Sequence, residues 1–180
     1  MGLGASAAES SAAMPGDESV PDAQLVVTRA RDIAAPPERV WPWLVQMGAG
    51  RGGFYSYDSL ERLIGMKTES AEAVLSEHQA LKVGDTISFG PWQNAYATAT
   101  TVDCPNVLAM RLRDSAQSPF DWSWSFVVSA TGGGSRLIVR ARYRWERRAL
   151  GPAVRALDLG DAIMTRRMLK GIAERAERTF

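Results

Sequence analysis

The spacing of hydrophobic and polar residues changes several times along the chain, and each change predicts an element. Residues 25–33 are rich in β-branched residues, and positions 28, 30 and 32 alternate with positions 27, 29 and 31 on opposite faces, which predicts a strand. A helix follows, because Pro36 and Pro37 suit a first helical turn and later apolar residues recur at helical spacing. Pro42 lies too deep for a regular helix, so we expect it to kink or restart the helix.

A glycine-rich loop over Gly48–Gly53 separates this helix from a second, shorter one over Ser56–Ile64. The loop lacks the Lys-Ser/Thr pair of a phosphate-binding loop, so we interpret it as a flexible turn. Asp58 and Glu61 lie in the first turn of the short helix, where carboxylates cap the helix and complement its dipole. An acid–base pair is the alternative interpretation of these two carboxylates.

After residue 79 the hydrophobic period becomes two, which predicts a series of strands linked by turns that contain Pro or Gly. The predicted strands are Asp85–Gly90, Asn94–Asp103, Val107–Arg113, Asp121–Ala130 and Ser135–Glu146. Because consecutive strands with short links pair with their neighbours, the pattern predicts an antiparallel meander.

In each of the last two predicted strands, the two faces carry very different side chains. Trp122, Trp124 and Phe126 share one face of the first, and a row of arginines from residue 136 to residue 144 follows one face of the second. Such a row could contact phosphates, but it is more often the solvated face of a half-buried sheet. We favour the solvated face.

The strand Asn94–Asp103 alternates alanines with Tyr96, Thr98 and Thr100, so either face carries small or hydroxylated side chains. Small residues opposite bulky aromatic ones leave space, which predicts an internal pocket. The alternative is that the aromatic side chains fill the space themselves. A final helix over Val154–Glu177 presents an inward stripe that includes Met164 and Met168, two side chains suited to a pocket wall.

Composition indicates one domain over residues 23–180, preceded by a disordered tail over residues 1–22. The tail is rich in Ala, Ser and Gly, has no aromatic residue and shows no apolar period. It has neither the basic region nor the apolar core of a signal peptide. Residues 1–6 fit the loose myristoylation pattern, which we interpret as a chance match.

The charged and metal-ligating residues exclude several classes of partner. The net charge of +1 predicts no nucleic-acid partner. A single cysteine, Cys104, excludes an internal disulfide and makes a reducing cytoplasm the default location. With a single histidine as well, His78, we expect no metal site and no cofactor. No apolar run reaches the roughly 20 residues of a transmembrane helix.

At this point the sequence resembles the START/Bet v 1-like superfamily, also called SRPBCC or polyketide cyclase-like, and more narrowly its bacterial members of uncharacterised function. The resemblance covers residues 25–178. The segments that carry it are residues 36–48 (PPERVWPWLVQMG), 53–58 (GFYSYD), 83–85 (VGD) and 168–172 (MLKGI). It implies an α+β helix-grip fold: a curved antiparallel sheet of six or seven strands, two short helices and a long C-terminal helix around a cavity.

The resemblance implies binding of a lipid- or polyketide-like small molecule, with no catalytic set shared across the superfamily. A cofactor-independent cyclase or dehydratase is the first alternative, and a protein-interaction or chaperone-activator module is the second. For the ligand we predict contacts with six residues: Phe54, Tyr96, Trp122, Trp124, Met164 and Met168. For acid–base catalysis the candidates are His78, because an unperturbed histidine changes charge near neutral pH, and Asp58, Tyr55 and Tyr57, with Glu61 as a further polar candidate.

Overall fold

A computed structural model describes residues 4–63, 65, 69–90, 96–112, 120–146 and 148–178. The helices are α1 (Ala7–Ser11), α2 (Pro37–Val45), α3 (Asp58–Leu63) and α4 (Gly151–Ala176). The strands are β1 (Leu25–Ile33), β2 (Thr86–Ser88), β3 (Tyr96–Asp103), β4 (Val107–Leu112), β5 (Phe120–Thr131) and β6 (Gly134–Trp145). Short 3₁₀ turns cover Asp17–Ser19, Ser76–His78 and Arg148–Leu150.

The strands form one six-stranded antiparallel sheet in the order β1-β6-β5-β4-β3-β2. Strands β2 to β6 are neighbours in the order of the chain, which confirms the predicted meander, and β1 pairs with β6 along nine residue pairs from Leu25–Tyr143 to Ile33–Ser135. Helix α4 packs against α2 and β1. A curved sheet closed by a C-terminal helix is the helix-grip fold, as predicted.

The predicted helices and strands agree with these bounds within a few residues. Ile64, Asn94, Ala95 and Arg113, at the ends of predicted elements, lie outside the described residues, as do the predicted turns at Pro91 and Pro119. Pro42 does not restart its helix, because α2 runs through it from Pro37 to Val45. Five neighbouring side chains of α2 are buried (Val40, Trp41, Trp43, Leu44 and Val45), and their packing offsets the backbone hydrogen bond that Pro42 cannot make.

The inner face of the sheet carries the bulky apolar side chains that meet α2 and α4. Cross-strand pairing places Trp122 opposite Tyr143, Trp124 opposite Ala141 and Phe126 opposite Val139. From α4 the buried residues Met168, Leu169, Ile172 and Ala173 complete this core. Because side chains alternate along a strand, Ser123, Ser125 and the arginines of β6 lie on the outer face.

Residues 4–22, which we call the N-terminal segment, lie across that outer face. The sequence predicted a disordered tail, but the structure shows α1, with a capping box between Ser6 and Glu9, and a 3₁₀ turn. Met14 and Val20 are buried, with 8% and 1% of their surface exposed. A side chain at Gly16 would overlap Ser125 and Ala109, so the segment touches the sheet directly.

The arginines of β6 hold the N-terminal segment in place. The Arg136 Nε atom donates to Glu9 at 2.8 Å, and Arg140 Nη1 donates to Asp17 at 2.8 Å and to the Ala12 carbonyl at 2.9 Å. Arg140 is 2% exposed, so this part of the arginine row is covered by the chain's own acidic segment. The prediction of a solvated face is therefore wrong for Arg140, and it holds for only part of the arginine row.

Candidate functional site

A cavity of about 190 Å³ lies between the C-terminal helix and the inner face of the sheet. Aromatic and thioether side chains form most of its wall, and a few polar side chains complete it. The lining residues are Phe54, Ser56, Phe89, Trp122, Trp124, Asp161, Met164, Thr165 and Met168. They come from β5, from α4 and from the segments that follow α2 and β2.

The aromatic side chains of the cavity contact one another in a continuous chain. The Phe89 ring lies 5.2 Å from the rings of Phe54 and Trp122 and 5.8 Å from that of Trp124, centre to centre. Trp122 and Trp124 are 5.6 Å apart, and Trp124 is 4.7 Å from Phe126. These separations lie in the favourable range for aromatic pairs, so the wall is held in place by its own packing.

A residue in the left-handed backbone conformation determines where two of the lining side chains lie. Tyr55 has φ +56°, an uncommon value for a residue other than glycine, and its neighbours Phe54 and Ser56 both line the cavity. The Tyr55 ring is buried against Trp43, 5.9 Å away, and under the Arg175 guanidinium, 4.9 Å from its centroid. We call residues 54–56 the Tyr55 elbow. The tight fit of Gly171 against the Tyr55 backbone anchors the elbow on α4.

Polar groups form one side of the cavity. The Asp161 carboxylate, on α4, accepts a hydrogen bond from the Thr165 hydroxyl at 3.1 Å and forms an ion pair with Arg29 of β1 at 3.1 Å. Ser56 Oγ donates to the Met164 carbonyl at 3.3 Å. We call Arg29, Asp161 and Thr165 the polar cluster.

The structure brings most of the predicted ligand contacts together. Phe54, Trp122, Trp124, Met164 and Met168 line the cavity. Tyr96 does not, because it lies on the opposite face of β3 and is 46% exposed. Ala97 and Ala99 take the inward positions and are buried in the core without lining the cavity. The alanines of β3 therefore face the core, as small inward side chains, but they are not among the lining residues.

None of the four candidate catalytic residues is among the residues that line the cavity. His78 ends a 3₁₀ turn, and its carbonyl oxygen accepts from Arg51 Nη2 at 3.4 Å. Asp58 accepts hydrogen bonds from the Ser70 hydroxyl, at 2.6 Å, and the Ser70 N–H. Tyr57 is 43% exposed beside the basic face of α4. Burial raises the pKa of Tyr55, so its hydroxyl stays protonated.

Sequence reasoning missed Ser56, Phe89, Asp161 and Thr165 as lining residues. The sequence contains a signal for Thr165 and Asp161. Thr165 belongs to the inward stripe of the last helix. Asp161 lies four residues earlier on the same face, and an inward carboxylate next to an inward hydroxyl is unusual in an apolar stripe. Phe89 and Ser56 lie in loops, where no hydrophobic period indicates which side chains turn towards the cavity.

Two features are absent from the part of the chain that the structure describes. No cluster of three His, Cys, Asp or Glu side chains there could hold a metal ion. Among the helices that the structure describes, none is long and apolar enough to cross a membrane.

Comparisons with known proteins show the fold. No family model matches the chain, and no curated protein matches it. The solved structure of protein NE0264 from Nitrosomonas europaea is similar, with TM-score 0.55 and 15% identity over 86% of this chain and 95% of the other. Protein MLL2253 from Mesorhizobium loti gives TM-score 0.51 and 18% identity over 87% and 99%. Protein CV1439 from Chromobacterium violaceum gives 0.51 and 16% over 86% and 98%.

Proposed function

We propose, from the helix-grip fold that this chain shares with the START/Bet v 1-like superfamily, that the protein binds a hydrophobic small molecule between α4 and the sheet. The observation that carries the proposal is the cavity of about 190 Å³ with its aromatic and methionine wall. An apolar cavity of about 150 Å³ is large enough to bind benzene, so this one has room for a single ring or a small fused pair.

The chemistry of the wall supports a ring-containing ligand. Phe54, Phe89, Trp122 and Trp124 offer ring faces and edges, which favour offset or edge-to-face contact with another ring. Met164 and Met168 add polarisable side chains that adapt to irregular shapes. Ligand sites are commonly of this kind, with apolar walls and a small number of polar groups.

The test is calorimetric titration with indane, a bicyclic hydrocarbon, on the wild type and on two variants of neighbouring residues. Met164→Phe adds bulk to the lining, and we expect it to weaken binding roughly tenfold by competing for the space. Ile163→Phe is the matched control, because Ile163 precedes Met164 on α4 but is 61% exposed. It should bind indane like the wild type.

Absence of indane binding to the wild type, or equal affinities of the two variants, would contradict the proposal. Quenching or a spectral shift of tryptophan emission should accompany binding, since Trp122 and Trp124 line the cavity.

A function as a cyclase or dehydratase with acid–base catalysis has less support than ligand binding, because the four predicted catalytic side chains are not among the cavity-lining residues. His78→Ala should therefore leave the indane affinity unchanged. A cytoplasmic location remains part of the proposal, supported by the single exposed cysteine, Cys104.

A further inference from the structure

The N-terminal segment is held on the outer face of the sheet by arginine side chains. Arg140 donates to the carbonyl oxygens of Glu9 and Ala12, at 2.8 and 2.9 Å, and to the Asp17 carboxylate at 2.8 Å. In the part of the chain that the structure describes, no backbone–backbone hydrogen bond joins this segment to the sheet. The segment is therefore bound as a peptide ligand would be, and it does not add a strand.

The segment and the face that it covers carry opposite charges. Residues 1–22 contain four acidic residues and no Lys or Arg, so the net charge of +1 for the whole chain leaves +5 for the rest. Arg136 forms an ion pair with Glu9 at 2.8 Å, and Arg142 forms one with Asp17 at 3.3 Å. Without the segment, the arginine row would be a cationic surface that attracts acidic partners.

The segment does not satisfy every polar group of this face. Ser123 is the cross-strand partner of Arg142 and is 1% exposed, yet its hydroxyl makes no hydrogen bond among the described residues. Most buried polar groups have a hydrogen-bond partner, so this hydroxyl is an exception. Arg144, the last arginine of the row, is exposed. A different acidic peptide could therefore make contacts here that the segment does not make.

The segment is also weakly anchored by apolar contacts. Its buried hydrophobic side chains, among residues 4–22, are Met14 and Val20. Burial of these two side chains is opposed by the conformational entropy that the segment loses when it is ordered on the sheet. A preference of a few kilocalories leaves a minor open state, roughly 0.1–10% of the molecules, in which the arginine row is free.

We infer that the arginine row is a recognition surface for an acidic peptide segment of a partner protein, and that the N-terminal segment occupies it as an intramolecular competitor. The inference goes beyond the proposed function, because this surface lies on the opposite face of the sheet from the cavity. Arg140 binds backbone carbonyls together with a carboxylate, and this combination favours a peptide over a nucleic acid. Because the segment must leave before a partner binds, a loosened segment should give tighter binding.

Gly16→Ala loosens the segment without a change of charge. A Cβ at Gly16 would overlap the Ser125 hydroxyl and lie 2.8 Å from the Ala109 Cβ, and the φ of +92° is unfavourable for alanine. The probe is a fluorescein-labelled peptide with the sequence of residues 1–22, measured by fluorescence anisotropy. We expect the Kd to be roughly tenfold or more lower for the full-length Gly16→Ala protein than for the wild type, because the protein's own segment competes less.

Gly4→Ala is the matched control in the same segment. A Cβ at Gly4 would meet no atom within 4 Å, so this variant should bind the peptide like the wild type. Circular dichroism checks that each variant is folded.

Two further probes test the chemistry of the surface on the Gly16→Ala protein. The same peptide with its four acidic residues replaced by amides should bind roughly tenfold or more weakly than the acidic peptide. A short oligothymidylate should also bind more weakly than the acidic peptide. Addition of Arg140→Gln should weaken binding of the acidic peptide roughly tenfold, whereas Arg166→Gln, at an exposed position of α4, should leave it unchanged.

Equal affinities of the wild type and Gly16→Ala for the acidic peptide would overturn the inference, as would equal affinities of Gly16→Ala for the acidic and amide peptides. Tighter binding of oligothymidylate than of the acidic peptide would assign the surface to nucleic acid and would also overturn it. Glu9→Gln/Asp17→Asn loosens the segment through its charges and should strengthen binding of the acidic peptide as Gly16→Ala does. This second variant decides the question if Gly16→Ala does not fold.

Discussion

Gly171 of α4 lies against the backbone of the Tyr55 elbow. A Cβ at this position would overlap the Tyr55 carbonyl oxygen and lie 2.8 Å from the Tyr55 Cβ. Neither atom belongs to a flexible side-chain end, so α4 or the elbow would have to move. We expect Gly171→Ala to destabilise the protein by about 1–3 kcal/mol, the usual cost of overpacking, as measured by urea unfolding.

Gly160 is the matched control on the same helix. A Cβ there would meet no atom within 4 Å. Gly160→Ala should raise the free energy of unfolding by about 0.5–1 kcal/mol, because alanine has the higher helix propensity. Equal effects of the two variants would contradict the close contact between α4 and the elbow.

Single residues also show what the sequence could and could not predict. The alternation in β3 was visible, but a period of two does not say which face turns inward, and Tyr96 was placed on the wrong one. Nothing in the sequence around Tyr55 indicates its left-handed conformation, which depends on contacts with Trp43, Gly171 and Arg175. The positions of Phe54 and Ser56 follow from that conformation, so they required the structure.

At the scale of elements, the N-terminal segment adds a layer on the outer face of the sheet. Removal of residues 1–22 would remove the buried side chains Met14 and Val20 and would uncover Ala109, which lies against Gly16 and is 1% exposed. We expect a loss of about 2–4 kcal/mol in the free energy of unfolding, less than the full transfer free energy of the two side chains. Urea unfolding measures the loss, and unchanged stability would indicate a tail that does not contact the sheet.

Low pH should loosen the same segment. Hydrogen bonds from Arg136 and from the Ser6 N–H lower the pKa of Glu9 from 4.5 to about 2. Because the folded-state value is the lower one, the ionised Glu9 stabilises the segment fully above pH 4.5, and this contribution is lost as pH falls towards 2. Hydrogen exchange of residues 4–22 should therefore accelerate relative to the sheet between neutral pH and pH of about 3.

Glu9→Gln should reduce this pH dependence, while Glu77→Gln, at an exposed position of a 3₁₀ turn, should leave it unchanged. A segment equally protected at both pH values in the wild type would contradict the role of Glu9.

The order of the N-terminal segment was missed because its partners are distant in sequence. Glu9 and Arg136 are 127 residues apart, and Arg140 reaches the Ala12 carbonyl across 128. Local composition, which includes no aromatic residue and no apolar period, predicts disorder because it takes no account of partners so distant in the sequence. The helices and strands were predictable because their periods are local and regular.

At the scale of the molecule, we expect residues 23–178 to behave as one cooperative unit. Helix α4 contributes Met168, Ile172 and Ala173 to the same core as β5 and α2, and these three residues are at most 2% exposed. Limited proteolysis should therefore give no stable fragment that ends near residue 150. Accumulation of such a fragment, with retained sheet structure by circular dichroism, would contradict a shared core.

The sequence predicted the helix-grip fold and a cavity under the last helix, with five lining residues. The sequence does not predict the polar cluster, because the strand pattern of residues 25–33 does not say on which face of the sheet Arg29 lies. Its ion-pair partner, Asp161, lies 132 residues away. The tertiary pairing of α4 with β1 brings the two charges together, and no local pattern encodes that pairing.

The central claim is that a ring-containing molecule binds between α4 and the sheet, and methyl NMR tests it most directly. With ¹³C-labelled methionine methyl groups, titration with indane should shift the resonances of Met164 and Met168, which line the cavity. The Met14 resonance should stay in place, because Met14 belongs to the N-terminal segment, which lies on the outer face of the sheet. No shift of Met164 and Met168 at saturating indane, or a larger shift of Met14, would contradict the claim.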